Sequence, residues 1–331
     1  MKPSRRPEEE RNIVVIGCGV IGLTTAIRLL ERGYSVTIVA RDIPPHTTSN
    51  VAAAVWFPYH VLPLERVLAW SATSLDTYYE LAADYETGIS LATFIDLFEL
   101  PAPDPWWREA VRFFRRPSAR ELPDGYVDGH VAEVPLIETP VHMQWLMGRF
   151  LALGGKLSRR ELRYLEDILG EGDAIVNCSG LGARDLVGDE AVYPIRGQIA
   201  RVSRPPSVRR VLFDEHGRHA LGYVIPRRDE VIIGGTAQSG SWDLSVDPDT
   251  AKLILQKARR LMPELEEARV IEHLVGLRPG RDAVRLEVEQ LGNGQNVIHN
   301  YGHGGAGFTL AWGCAAEVVD IVGQLLLPTT Q

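Results

Sequence analysis

The run Ile13-Val14-Val15-Ile16-Gly17-Cys18-Gly19-Val20-Ile21-Gly22 limits what this chain can fold into more than any other stretch. Four β-branched residues lead straight into a glycine-rich turn, and an apolar helical pattern through Ala26, Ile27, Leu29 and Leu30 follows. Strand, turn and helix in that order open a dinucleotide-binding βαβ unit. Gly17 permits the tight turn, Gly19 lets the backbone approach a pyrophosphate, and Gly22 lets the helix lie close to its strand. The N–H groups at the helix start, around Val20 and Ile21, attract the anion. A lone G-x-G-x-x-G is a weak signal. Here Gly33 closes the helix, and Val36-Thr37-Ile38-Val39-Ala40 supplies a second strand at the distance such a unit requires.

The second strand runs into Arg41-Asp42, about 20 residues past the last glycine, where the fold expects its ribose contact. An acid accepts from ribose hydroxyls, whereas an arginine pairs a 2′-phosphate. At this point the nucleotide is therefore open, and an NADP-dependent dehydrogenase remains one reading.

Composition narrows the class. The 331 residues suffice for two domains around a large core, and a net charge of −8 offers no basic face for nucleic acid. Residues 1–12 are charged and lack the apolar region of a secretory signal, and residues 327–331 carry no organelle address. No run reaches the roughly 18 uninterrupted apolar residues of a membrane span, since Arg28 interrupts the strongest candidate. Cys18, Cys178 and Cys314 lie far apart in apolar or small-residue surroundings and read as buried free thiols. His299 and His303 have i, i+4 spacing, but the glycines around His303 argue against a helix there, so no metal site is expected. A soluble, cytoplasmic protein is the expectation.

Farther along, residues 46–58 change from hydroxyl-rich to small and apolar, which suits either a loop lying along a cofactor or a helix N-cap followed by an alanine-rich turn. Residues 63–87 show helical spacing, 91–100 a strand, and 101–123 a covering loop with Trp106, Trp107, Phe113 and Phe114. Thr139-Pro140 opens a helix that stops at Gly154-Gly155, and an extended stretch follows near 157–162. Ala174-Ile175-Val176-Asn177 returns to the central sheet and places Ser179 and Gly180 at its ligand-facing edge. Runs at 197–202, 211–213, 222–226 and 231–235 have meander spacing and mark a mainly β domain, with a helix from Asp247-Pro248 to about residue 261. Asn293-Gly294 signals a hairpin. The last helix, entered through Gly302-His303-Gly304-Gly305-Ala306-Gly307, is apolar on most sides and so belongs at the centre. Its start is a second place where free N–H groups meet a ligand.

The expected fold is α/β: a Rossmann-like, FAD-binding domain made of residues 12–60, 140–193 and 272–328, interleaved with a mainly β substrate-binding domain of residues 61–139 and 194–271. Such interleaving favours a flavin fold over an NAD dehydrogenase, by analogy of architecture.

These stretches together resemble the D-amino-acid oxidase group of FAD enzymes, which includes the D-aspartate oxidases. The likeness runs through most of the chain beyond residue 12. It rests on residues 14–23, on Thr47-Thr48-Ser49 through Pro58, on Val176-Asn177-Cys178-Ser179-Gly180 and on Gly222-Tyr223-Val224-Ile225-Pro226. Most specific are Gly276-Leu277-Arg278-Pro279 and His299-Asn300-Tyr301-Gly302-His303-Gly304-Gly305. The resemblance implies that Arg278 holds the substrate α-carboxylate as a bidentate pair, that the Tyr223 hydroxyl shares it, and that the Gly305 carbonyl receives the amine. Beside Gly17, Gly19, Val20, Ile21, Gly22, Arg41 and Asp42, it implies FAD contacts at Thr48, Ser49, Ala53, Ala54, Val55, Leu162 and Ser179. The loop and helix start at Gly304, Gly305, Ala306, Gly307, Phe308 and Thr309 then lie beside the flavin ring, where the helix dipole favours negative charge. Phe57, Val55, His219 and Leu212 match the substrate pocket.

The implied reaction is hydride transfer from Cα to flavin N5, reoxidation by O₂ to H₂O₂, and hydrolysis of the imino acid to a 2-oxo acid and ammonia. The partners are a small D-amino acid and O₂, with no nucleic acid or membrane and a homodimer left open. Three departures stand out: Arg41 where the family commonly has an acid, His219 where many relatives carry a second tyrosine, and Ala237 where aspartate oxidases place a second arginine. The last argues for neutral, apolar D-amino acids. D-aspartate oxidase and glycine or sarcosine oxidase are the alternatives within flavoenzymes, and a non-catalytic flavin-binding module lies outside them.

Overall fold

The computed structural model describes residues 11–57, 61–214 and 222–326. Pro58, His219 and the two chain ends, on which parts of the sequence reading fell, lie outside the described residues. The α/β expectation is borne out by two sheets with helices between and around them.

One sheet has six strands in the order β14 (Arg285–Gln290), β15 (Asn296–Tyr301), β7 (Ala174–Asn177), β1 (Asn12–Ile16), β2 (Ser35–Ala40), β6 (Lys156–Arg159). All neighbours are parallel except the hairpin of β14 with β15. Ile13 and Val15 of β1 enter one buried cluster, and Val14 and Ile16 enter another on the opposite face. A central parallel strand covered on both faces requires such an unbroken apolar run, which is why 13–16 do not alternate. Because β2 lies to one side of β1 and β7 to the other, the chain leaves the sheet in opposite directions there and opens a crevice at the strand ends.

The other sheet has nine strands. Its path is β12 (Gln238–Ser239), β8 (Tyr193–Ser203), β11 (Glu230–Gly234), β10 (Gly222–Pro226), β9 (Val211–Asp214), β3 (Ile89–Phe98), β5 (Asp128–Ile137), β4 (Phe114–Arg115), with β13 (Val270–Gly280) along β8. Its pairs are antiparallel apart from β3 with β9. Helix α6 (Pro248–Leu261), capped by the Asp247 carboxylate accepting from Thr250 N at 2.6 Å, covers one face with Ile254, Ala258 and Leu261. The other face turns toward the crevice.

Helices α1 (Val20–Glu31), α3 (Leu64–Leu81), α4 (Thr139–Ala152) and α7 (Gly307–Leu326) form the layer beside the six-stranded sheet, and α2 (Thr48–Val51) and α5 (Ala183–Leu186) are single turns. Strand β13 runs across residue 272 and pairs with β8 from Val270 to Gly280, with a register shift between Val270 and Glu272. Helix α3 packs chiefly on α7 and also reaches β5, where Tyr79 OH donates to Glu133 O at 3.1 Å. A Cβ on Gly313 would enter the backbone of Trp70, Ser74 Oγ accepts from Gly313 N at 3.0 Å, and Tyr78 OH donates to Phe308 O at 2.9 Å.

One helix bears on the membrane expectation, although Glu317 and Asp320 interrupt it. Among the described residues, Gly304–Leu326 is long and apolar enough by length and composition to cross a membrane, a stretch the sequence reading passed over in favour of the one broken by Arg28. The fold accounts for its apolarity, since α7 is buried against α1 and α3.

Candidate active site

A cleft of about 1000 Å³ runs between the sheets from the first glycine turn to the start of α7. That is the upper end of the roughly 300–1,000 Å³ typical of small-molecule pockets, so the ligand it suits is large.

At its deep end Gly17 has φ +104°, and a Cβ there would lie 2.5 Å from Cys178 O. Both the left-handed backbone and the close approach demand glycine. A Cβ on Gly22 would meet the Gly17 carbonyl, so this glycine lets α1 close over its own turn; Gly22 does not itself line the cleft. Helix α1 has no side-chain cap of its own at Gly19. Instead Ser49 Oγ, on α2, accepts from Val20 N at 2.9 Å, tying the 47–51 turn to the pyrophosphate loop. The segment makes a single helical turn at 48–51 whose first residue has no side-chain cap, and the alanines that follow are extended rather than a turn; Ala53, Ala54 and Val55 line the cleft with Thr48 and Ser49.

Arg41 and Asp42 sit at the same end. Arg41 Nε donates to Asp42 Oδ2 at 2.9 Å and Nη1 to Glu161 Oε1 at 3.2 Å, and these bonds hold the guanidinium pKa above its ordinary value. Its charge is matched by two acids, so no unpaired cation marks a 2′-phosphate site there. Leu162 and Ser179 also line the cleft. Ser179 N and Oγ donate to Asn177 Oδ1 at 3.1 and 2.6 Å, leaving the hydroxyl oxygen to the cleft as an acceptor.

The far end is built by the nine-stranded sheet. Arg278, on β13, donates from Nη1 to Thr236 O at 3.0 Å, and among the described residues no carboxylate pairs with it. Gly197 on the adjacent strand makes room, since a Cβ there would enter the guanidinium. Gly234 and Gly235 do the same for the Tyr223 ring, which stacks on Phe213 with centroids 5.2 Å apart and planes 11° from parallel. Burial pushes the Tyr223 phenol up, and the neighbouring Arg278 draws it partly back. An unpaired arginine beside a buried hydroxyl is a receptor for a small carboxylate. Phe57 and Phe213, 5.2 Å apart, form an apolar wall with Phe94 behind them. Thr309 Oγ1 donates to Phe57 O at 2.8 Å, so this hydroxyl fixes the wall to the first turn of α7.

The α7 start brings Gly304, Gly305, Gly307, Phe308 and Thr309 to the cleft, with Gly305 exposed. Ala306 points into the core at 1% exposure and does not line it. Leu212 is also a correction. Its side chain lies in the cluster under α6 with Ile95, Val224 and Ile233, whereas Phe213 reaches the cleft. Successive residues of a strand face opposite sides, and Tyr223 pairs directly with Phe213, not Leu212. That register is the signal by which Phe213 could have been found. Ala237 is exposed and outside the cleft, next to the carbonyl that holds Arg278.

Sequence reasoning also missed Gly197, Ile199, Ile225, Trp242, Leu244 and two buried polar atoms. Asn300 Oδ1 and His303 Nε2 belong to cleft-lining residues and have no hydrogen-bond partner. Burial pushes the His303 pKa down to about 3, so the ring is neutral near pH 7. A long cleft with a glycine cradle at one end, where a Cβ on Gly17 or Gly22 would clash with backbone, fits a bound dinucleotide. The three cysteines are buried and free, as expected.

A family model described as FAD dependent oxidoreductase matches residues 12–321. A D-amino-acid oxidase of Rubrobacter xylanophilus is 49% identical over 315 residues, covering 95% of this chain and 96% of that protein. A D-aspartate oxidase of Homo sapiens is 36% identical over 94% of both. Among solved structures, glycine oxidase from Bacillus cereus superposes with a TM-score of 0.77 over 95% of each chain at 19% identity, a likeness of fold alone.

Proposed function

The chain belongs to the FAD-dependent oxidoreductase family of the D-amino-acid oxidases, and from that premise we propose that it oxidises neutral, apolar D-amino acids. The net reaction is D-amino acid, O₂ and H₂O giving a 2-oxo acid, NH₃ and H₂O₂. The cofactor is FAD. Bound FAD supplies the hydride acceptor and returns the electrons to O₂.

This chain's residues bind and orient. Gly17, Gly19, Val20 and Ile21 line the pyrophosphate site with Gly22 behind them, and at the ribose end the Arg41–Asp42 pair offers the Asp42 carboxylate as acceptor for the ribose hydroxyls. Thr48, Ser49, Ala53, Ala54, Val55, Leu162, Ser179 and the stretch 304–309 line the remaining length. The six-stranded sheet and its helices serve as the FAD-binding domain and the nine-stranded sheet as the substrate-binding domain.

Arg278 clamps the substrate carboxylate, Tyr223 OH donates to it, and the Gly305 carbonyl accepts from the amine. With two substituents of Cα held and the side chain directed at the Phe57–Phe213 wall, the Cα hydrogen has one remaining direction, and chirality follows. No side chain is needed as general base, because orientation supplies the main rate advantage. The single observation that carries this reading is the Arg278 guanidinium, anchored by Thr236 O beside Tyr223 and without an acidic partner among the described residues. Neutral substrates are favoured because the other arginines lining the cleft, Arg41 and Arg160, pair with Glu161 and Glu171 at the nucleotide end. Free, buried thiols support a reducing, cytoplasmic setting.

The test is anaerobic mixing of the yellow holoenzyme with a panel of D- and L-amino acids. Bleaching of the flavin band by neutral D-isomers is expected. Bleaching by L-isomers, by glycine alone or best by D-aspartate would replace this reading.

A further inference from the structure

Arg227 takes no part in the site described so far, yet it is only 5% exposed and directly follows the strand that carries Tyr223. Tyr223 and Ile225 of β10 face the cleft, and Arg227, two residues on, extends the same row. Four of its five N–H groups donate. Nε donates to Ala53 O at 2.9 Å, Nη2 to Ala52 O and Thr139 Oγ1 at 2.8 Å each, and Nη1 to Glu230 Oε1 at 3.1 Å. Thr139 Oγ1 in turn donates to Ala52 O at 2.9 Å. The segment so gripped continues into Ala54 and Trp56, whose backbone bonds to Ile137 and Pro135 hold it along β5.

Burying a guanidinium is costly unless its charge is paired, here by Glu230, and most of its donors are met. Here two of its acceptors are consecutive carbonyls of the stretch that lines the cleft. A planar fork spans two adjacent carbonyls where a lysine ammonium offers a point charge. The same side chain therefore joins the strand bearing the carboxylate clamp to the segment lying along the cofactor, two pieces of chain more than 160 residues apart.

We propose that Arg227 is a positioning residue that sets segment 52–55 at a fixed distance from Tyr223 and Arg278, and thereby controls FAD affinity and turnover but not substrate capture. This rests on the function proposed above. The test uses Arg227→Met and Arg227→Lys in the full chain, with three readouts: FAD Kd by titrating apoprotein into flavin, kcat and KM at saturating FAD, and melting of the apoprotein.

The expected result is a rise of about tenfold in FAD Kd and a lower kcat, with KM for a neutral D-amino acid within about twofold because Tyr223 and Arg278 are untouched. Arg227→Lys keeps the charge and the fold but not the fork, so it carries the test if Arg227→Met does not fold, and the Kd rise persists in it. A change in FAD Kd and kcat below about threefold in the folded variants overturns the proposal, as does a loss confined to apoprotein melting. Wild-type protein that binds FAD but oxidises no D-amino acid refutes the proposed function while leaving the affinity measurement valid.

Discussion

The guanidinium of Arg278 occupies the volume that a side chain at Gly197 would fill. The two lie on neighbouring antiparallel strands, with Gly197 paired to Gly276 two residues from the arginine. The absence of a Cβ at 197 is thus what lets the arginine lie across the strand and reach Thr236 O.

Gly197→Ala should displace the clamp without touching it chemically. Its kcat/KM is expected to fall by roughly 10²-fold, chiefly through KM, with the flavin spectrum retained. Arg278→Ala should lose more, about 4 kcal/mol or roughly 10³-fold. Steady-state kinetics on one neutral D-amino acid checks both, and an unchanged KM in Gly197→Ala would contradict the steric account.

Tyr223→Phe separates the hydroxyl from the ring. The stack on Phe213 survives, so melting should change little, while the lost hydrogen bond to the carboxylate should raise KM by about tenfold. Equal KM values in the two proteins would remove Tyr223 from the clamp.

At the nucleotide end, Asp42→Asn should weaken FAD binding by about tenfold, since one ribose acceptor is lost. Arg41→Ala should shift the Kd by no more than about threefold, because an ion pair on a side chain that is 67% exposed contributes little. Titration of apoprotein with FAD measures both, and the reverse order of effects would restore Arg41 as the ribose partner.

Acid should destabilise the apoprotein through its buried histidines. Burial pushes His142 down to about 4 and His303 to about 3, below the ordinary 6.5. The unfolded chain then binds protons that the folded chain refuses, so stability is lost as pH falls from 6.5 and the loss levels off near pH 3. Apoprotein melting should drop across that window, and His142→Gln, which keeps a donor for the Thr87 carbonyl, should flatten the slope. A slope unchanged by that substitution would refute the assignment. Glu121 acts lower: Arg115 and Ser118 hold it down to about 2, so its contribution is intact above 4.5 and lost as pH falls toward 2.

What the chain announces locally, it announces well. The apolar run 13–16 ending in Gly17 makes a strand and a tight turn because β-branched residues and a left-handed glycine leave few other conformations. Asp247-Pro248 and Asn293-Gly294 likewise mark a helix start and a hairpin by short-range sterics and hydrogen bonding. Family motifs then named Arg278 and Tyr223, which the fold brings to one cleft from strands β13 and β10.

The tertiary structure decided whatever depends on register between distant segments. Leu212 and Phe213 are both apolar neighbours, and only the pairing of Tyr223 with Phe213 says which one faces the cleft. Helix α3 has an apolar stripe, but its match is the gap at Gly313, nearly 240 residues later. Arg227 looks like any surface arginine in sequence, since nothing local shows that the Ala52 and Ala53 carbonyls wait for it. Turn and strand preferences are energies of adjacent residues and so are written in adjacent letters. Packing partners and buried charge contacts are energies between segments that meet only after the chain has folded.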